Sequence, residues 1–158
     1  METRDKKFLD RAVELSKRGM QGGKGGPFGC IVVKGDEIVG EGCNQVTSSN
    51  DPTAHAEVVA IRNACEKLGT YQLTECEIYT SCEPCPMCLG AIYWARPKRV
   101  VYANTKEEAA AIEFDDDFIY NEINTKMSDR KIPFIHHPHA GAKEVFLAWK
   151  NWEGKTKY

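Results

Sequence analysis

The stretch Thr80-Ser81-Cys82-Glu83-Pro84-Cys85-Pro86-Met87-Cys88, taken with His55-Ala56-Glu57, constrains the fold of this chain more than any other feature. A histidine, a Cys-x-x-Cys pair and a carboxylate two residues after the histidine are the parts of a catalytic zinc site with one coordination position left for water. The fold therefore has to bring two segments, about one helix and one strand apart, onto a single ion. If Pro86 begins a helix, Cys85 and Cys88 fall on the same face of its first turn, and the positive end of the helix dipole favours their thiolate forms. His55 sits where another helix should begin, after the turn-forming Asn50-Asp51-Pro52-Thr53. Residues two apart on a helix project roughly 200° apart, so Glu57 is expected to stay off the metal and remain free to act as a base.

Cys82 leaves a second arrangement open. His55, Cys82, Cys85 and Cys88 could close a Cys3His structural site, a zinc module with no room for water and no task for Glu57. The open arrangement gives Glu57 a task, and it matches the H-x-E and P-C-x-x-C pattern of zinc nucleobase deaminases. In that chemistry an activated water attacks a ring carbon bearing an amino group. Glu57 takes the water proton, passes it to a ring nitrogen and later protonates the departing ammonia.

A chain of 158 residues suits one compact domain, and 42% hydrophobic with 28% charged residues is ordinary for a soluble protein. No apolar run is long enough to span a bilayer, and the first residues lead into no signal-peptide core, so the expectation is a cytoplasmic protein. Seven cysteines in such a chain speak for reduced thiols and metal ligation over a disulfide framework. Cys30, Cys43, Cys65 and Cys76 read as small buried hydrophobes. The formal net charge of −2 lacks the clustered basic excess of a nucleic-acid binder, so a free small molecule is the expected substrate.

The apolar spacing of Phe8, Leu9, Ala12, Val13, Leu15 and Met20 predicts a helix over about 4–20, followed by the glycine-rich loop Gln21 to Pro27. Phe28 to Lys34 and Glu37 to Val46 read as strands of a hairpin turning at Gly35-Asp36, with Asn44 at the far end of the second strand. A helix from His55 to Leu68 stops at Gly69, and a strand from Cys76 to Ser81 leads into the zinc loop. The next helix runs from Met87 to Ala95, and a strand from Lys98 to Ala103 completes a strand–helix–strand unit that should be parallel and right-handed. Further helices are expected over Thr105 to Ile112, over Asp117 to Lys126, and around Val145, Phe146, Trp149 and Trp152. His136, His137 and His139 read as a solvated loop. The expected architecture is a mixed sheet with helices on both faces.

Three segments carry a family likeness. Gly25-Gly26-Pro27-Phe28-Gly29, Asp51 to Glu57 and Ser81 to Arg96 resemble the cytidine deaminase superfamily, whose fold is a three-layer α/β/α arrangement with a mixed central sheet. Phe114-Asp115-Asp116-Asp117-Phe118-Ile119-Tyr120 and a terminal Tyr158 resemble its bacterial guanine-deaminating branch. The likeness spans nearly the whole chain. It implies one zinc ion per subunit on His55, Cys85 and Cys88, Glu57 as proton carrier, and hydrolysis of guanine to xanthine and ammonia. It further implies that Asn44 holds the purine, that Phe28 and Trp94 line or stack on it, and that Asp116 with Asp115 accepts hydrogen bonds from its N–H groups. In that branch the C-terminal segment is exchanged between two subunits, which implies a domain-swapped homodimer with Tyr158 over the partner's site. Deaminases of guanosine, cytosine or tRNA adenosine share the zinc motifs and stay open as alternatives.

Overall fold

Successive side chains of a strand point to opposite faces, and the apolar residues around 30–33 and 78–79 give this sheet two faces to bury. The computed structural model describes residues 3–158. The chain divides into two compact units, Met1–Asp117 and Phe118–Tyr158.

The first unit holds four strands: β1 (Gly29–Lys34), β2 (Glu37–Cys43), β3 (Cys76–Cys82) and β4 (Arg99–Asn104). They lie in the order β2-β1-β3-β4. β1 runs antiparallel to β2 and to β3, and β3 is parallel to β4, so the sheet is mixed as expected. The β1–β2 hairpin turns at Gly35, whose φ of +62° lies in the left-handed region that glycine enters without a Cβ penalty.

On one face, α1 (Thr3–Gln21) packs Phe8 and Leu9 against Ile31, Val33 and Tyr79. On the other, α3 (Ala56–Leu68) and α4 (Pro86–Ala95) cover Cys30, Val32 and Ile78. Ala56, Ala60 and Ala64 recur every four residues along α3, a stripe of small side chains facing the sheet. The α1 face also carries a charge network: the Tyr79 hydroxyl lies 2.8 Å from Asp5 and 2.8 Å from Glu77, two carboxylates that compete for its one proton. Arg4 and Arg99 bind the same two carboxylates.

Three predicted segments end early. β2 stops at Cys43, and Val46–Ser49 forms the short α2 instead of extended strand. The reason is local: Asn44 Oδ1 accepts the N–H of Val46 at 3.1 Å, and Gln45 N–H turns to the carbonyl of Ala54. α5 covers Lys106–Ala110, capped by Thr105 and Glu108 in a reciprocal box. It unwinds before Ile112 because the chain turns through Glu113 at φ +72°. α6 (Asp117–Asn124) yields to a 3-10 turn at Met127–Asp129.

The second unit contains the rest of α6, that turn and α7 (Ala140–Asn151), with no residue fully buried among Phe118–Tyr158. Within it the Arg130 guanidinium lies 5.2 Å from the Phe134 ring centre and donates to the carbonyl of Glu122. Trp149 and Trp152 meet edge to face at 5.4 Å. His139 caps α7 by accepting the N–H of Ala142, and His136 and His137 are exposed in the preceding coil. No helix among the described residues is long and apolar enough to cross a membrane.

Candidate active site

Two helix N-termini meet at the site. His55 is the N-cap of α3 and Cys85 the N-cap of α4, with Pro86 in the first turn, and neither side chain caps its own helix. Serine, threonine or aspartate would satisfy an orphan N–H there, so these positions forgo a local stabilisation and turn their side chains toward each other. His55 Nδ1 lies 3.5 Å from the Cys85 sulfur and 3.5 Å from the Cys88 sulfur. The three donor atoms all fall within 4.8 Å of one another.

The donor chemistry and spacing fit zinc. Tetrahedral geometry with zinc–sulfur bonds near 2.3 Å and zinc–nitrogen bonds near 2.05 Å places sulfur and nitrogen about 3.6 Å apart, close to both observed separations. Among the described residues no fourth side chain joins the group. The sulfur of Cys82 is directed to the carbonyl of Thr105 at 3.7 Å, away from a closed Cys3His arrangement. Burial, followed by the charge of Glu57, pushes the Cys82 thiol up to about 11, which suits a protonated structural thiol.

Without a cation the cysteine pair shares its protons unequally. The hydrogen bond from Cys88, with His55 beside it, stabilises the Cys85 thiolate and lowers its pKa. The same bond, burial and the Glu57 charge hold the proton on Cys88. His55 is raised by its hydrogen bond to Cys85. A divalent cation resolves the competition by making both thiolates and a neutral imidazole favourable together.

Glu57 occupies the first turn of α3, 6% exposed, with one carboxylate oxygen 3.4 Å from the Cys88 sulfur. Its other oxygen accepts from the Thr80 hydroxyl at 3.2 Å. Burial raises its pKa, the direction needed by a group that must both take and return a proton near neutrality. Asn44 is buried, and its Oδ1 accepts the N–H groups of Gly26 at 3.3 Å and Val46 at 3.1 Å. Two donors on one atom fix the amide orientation and leave its NH2 as the group it can offer a ligand.

Phe28 meets Phe114 edge to face at 4.9 Å. Gly26 makes room for the pair, since a Cβ there would stand 2.9 Å from Phe114 and 3.1 Å from Phe28. Asp116 is half-buried, and burial, then the nearby Cys85 thiolate, raises its carboxyl. The charge of Asp116 in turn reaches Cys82. Asp115 is differently employed: its Oδ1 accepts the N–H of Asp117 at 2.9 Å, at the start of α6. Trp94 stands on α4 at 62% exposure, and Tyr158 belongs to the second unit at 70% exposure. Sequence reasoning missed Phe114 and Thr80. Phe114 was visible as an aromatic beside the Asp run, whereas nothing local distinguished Thr80 from any other buried strand residue.

Known proteins agree with this geometry. The model of the cytidine and deoxycytidylate deaminase zinc-binding region matches residues 2–104. The guanine deaminase of Bacillus subtilis (strain 168) is 56% identical over 151 residues, which cover 96% of this chain and 97% of that protein. An X-ray structure of guanine deaminase from Bacillus subtilis superposes with a TM-score of 0.95 at 54% identity, covering 100% of this chain and 99% of that one. The tRNA-specific adenosine deaminase of Aquifex aeolicus (strain VF5) is 32% identical over 138 residues, 87% of this chain and 88% of that protein.

Proposed function

This chain belongs to the cytidine and deoxycytidylate deaminase zinc-binding family, and we propose that within it the chain hydrolyses guanine to xanthine and ammonia, a step of purine breakdown and salvage. One observation carries the choice of substrate. The 56% identity to the Bacillus subtilis guanine deaminase extends over 96% of the chain, far beyond the zinc-binding region that ends at residue 104. The segment holding Phe114 and Asp116 lies in that extension.

His55, Cys85 and Cys88 hold the zinc ion in this reading, supported by the match between their spacing and a tetrahedral N/S2 set. Zinc there supplies the Lewis acid that makes water a nucleophile near neutral pH. Glu57 carries the proton of the attacking water to N3 as the bond to C2 forms, then delivers a proton to the leaving amino group so that it departs as ammonia. Asn44 donates its NH2 to an acceptor on the purine edge, Asp116 accepts from the ring N–H groups, and the edge-on Phe28–Phe114 pair supports the ring face. In this reading Asp115 assists Asp116 as an acceptor and Trp94 lines the purine pocket.

We further assign a homodimer in which the Phe118–Tyr158 segment is exchanged and Tyr158 covers the partner's site. The reading is supported by the apolar groups that this segment leaves uncovered, including Ile135 at 85%, Phe146 at 79% and Val145 at 65% exposure. Seven free cysteines suit a reducing, cytoplasmic setting. The tRNA-adenosine alternative is disfavoured by Glu107, Glu108, Glu113 and Asp115 to Asp117, which would repel a phosphate backbone.

Ammonia release from guanine, guanosine, cytosine, adenine and a tRNA anticodon stem tests the reading, with turnover expected on guanine. Turnover confined to another of these substrates would replace guanine. In sedimentation the expected mass is that of a dimer, and deleting residues 151–158 should sharply lower turnover while sparing zinc. A monomer, or an unchanged rate, would refute the exchange.

A further inference from the structure

We propose that Thr80 is the positioning residue of the deaminase reaction: its hydroxyl fixes one oxygen of Glu57 and so reserves the other, which faces the zinc ligands, to take and return the proton. The proposal rests on Glu57 being the proton carrier, and it adds how a buried carboxylate is kept in one orientation through two proton transfers.

Three observations carry it. The first is the division of labour between the two oxygens. Thr80 Oγ1 donates to Glu57 Oε1 at 3.2 Å, while Oε2 lies 3.4 Å from the sulfur of Cys88, a metal ligand. A carboxylate is free to rotate about its last bond unless something distinguishes its oxygens, because that torsion is broad and roughly two-fold. The second is how few side-chain partners that carboxylate has: the sulfur of Cys88 beside Oε2, itself grouped with His55 and Cys85, and the hydroxyl of Thr80 on Oε1. Among the described residues the Thr80 hydroxyl is the one side-chain oxygen or nitrogen hydrogen-bonded to Glu57.

The third is the rigidity of the support. Thr80 is 1% exposed in β3, paired with Cys30 of β1 on one side and with Tyr102 of β4 on the other. A β-branched side chain in a central strand has little rotamer freedom, so the hydroxyl is held in place by the sheet itself. A group mounted this way suits a site that needs angular precision, since misplacement by about 1 Å can cost on the order of a hundredfold in rate.

A merely structural threonine, filling space and satisfying its own hydroxyl, makes different predictions. Thr80→Val keeps shape and β-propensity but removes the donor, Thr80→Ala removes it without bulk, and Thr80→Ser restores it. Zinc content, steady-state kinetics on guanine and crystal structures of these proteins are compared with those of the wild type and Glu57→Gln. The Val and Ala variants should retain zinc and KM, lose about tenfold to a hundredfold in kcat, and show the Glu57 carboxylate rotated or split between two orientations. The Ser variant should return to within about twofold to threefold of wild-type kcat. A Val variant with wild-type kcat, an unrotated carboxylate, or a Ser variant as slow as Val overturns the proposal. Full activity in Glu57→Gln would instead remove the proton-carrier reading beneath it, so the two failures are distinguishable.

Discussion

Tyr79 and Thr80 are neighbours in β3, yet the sheet sends them into opposite electrostatic worlds. On the α1 face, the Tyr79 hydroxyl joins Asp5, Glu77, Arg4 and Arg99, two anions and two cations bound to one another. On the α3 face, Thr80 meets Glu57, a carboxylate with a hydroxyl and a thiol as its side-chain partners. The pKa directions follow. Asp5 is lowered by Arg99 and Tyr79. For Glu77, burial alone would raise the carboxyl, and hydrogen bonds from Tyr79, Arg4 and Arg99 overcome it. For Glu57 burial wins: it raises the carboxyl despite hydrogen bonds from its own backbone and from Cys88. One face spends its charges on stability, and the other leaves burial dominant over a carboxylate so that it can exchange a proton.

The sharpest way to separate the faces is to empty the metal site. Cys88→Ser should bring zinc content close to nothing and ammonia release from guanine below detection, while circular dichroism still shows the mixed sheet. A second route acts on the other face. Tyr79→Phe removes a buried hydroxyl that bonds four charged groups and should cost about 1–3 kcal/mol in denaturant unfolding. Turnover on guanine should stay within about twofold of wild type, because the network does not reach Glu57. A Tyr79→Phe enzyme that is stable but slow would mean that the faces are coupled through β3.

A subtler contrast lies in pH. Asp5 and Glu77 titrate lower in the folded state than in the unfolded chain, so their stabilisation is complete above the ordinary carboxylate range, near pH 4. It drains away as pH falls through their folded values. Glu57 has the opposite sign: its raised folded pKa costs nothing while the carboxyl is protonated in both states, and the cost grows as pH climbs through that raised value. In metal-free protein, Glu57→Gln should therefore raise the urea midpoint at pH 8 and leave it unchanged at pH 4, whereas Asp5→Asn should lower it at pH 8 and matter least near pH 3. Parallel pH profiles for the two variants would erase the distinction.

What the sequence made legible is what lies close along the chain. The Cys85–Cys88 spacing, the proline that opens α4 and the H-x-E triplet define two helix starts, and these alone bring the donor atoms together. The mixed character of the sheet followed from a hairpin turn and one strand–helix–strand unit, whereas the antiparallel pairing of β1 with β3 that joins them had no local signal. The Tyr79 network was not legible, because its partners are joined across 74 and 94 positions by packing on α1. Thr80 and Glu57, 23 residues apart, meet through the packing of α3 on β3, and no local spacing encodes that distance. Phe114 and Asp116 reach the site region through a turn that forces Glu113 to φ +72°, a conformation the local sequence gives little reason to expect. The end of β2 was misjudged because the Asn44 side chain competes for a backbone N–H that an extended strand would have used elsewhere.

The central claim is that three side chains hold zinc while Glu57, outside the coordination set, moves the proton. Ammonia release from guanine by zinc-loaded Glu57→Gln, with metal content assayed in the same sample, tests it most directly. The account predicts one zinc per chain as in the wild type and turnover reduced by about 10²–10⁴-fold or more. Wild-type turnover in that sample, or loss of the zinc along with the carboxylate, would contradict it.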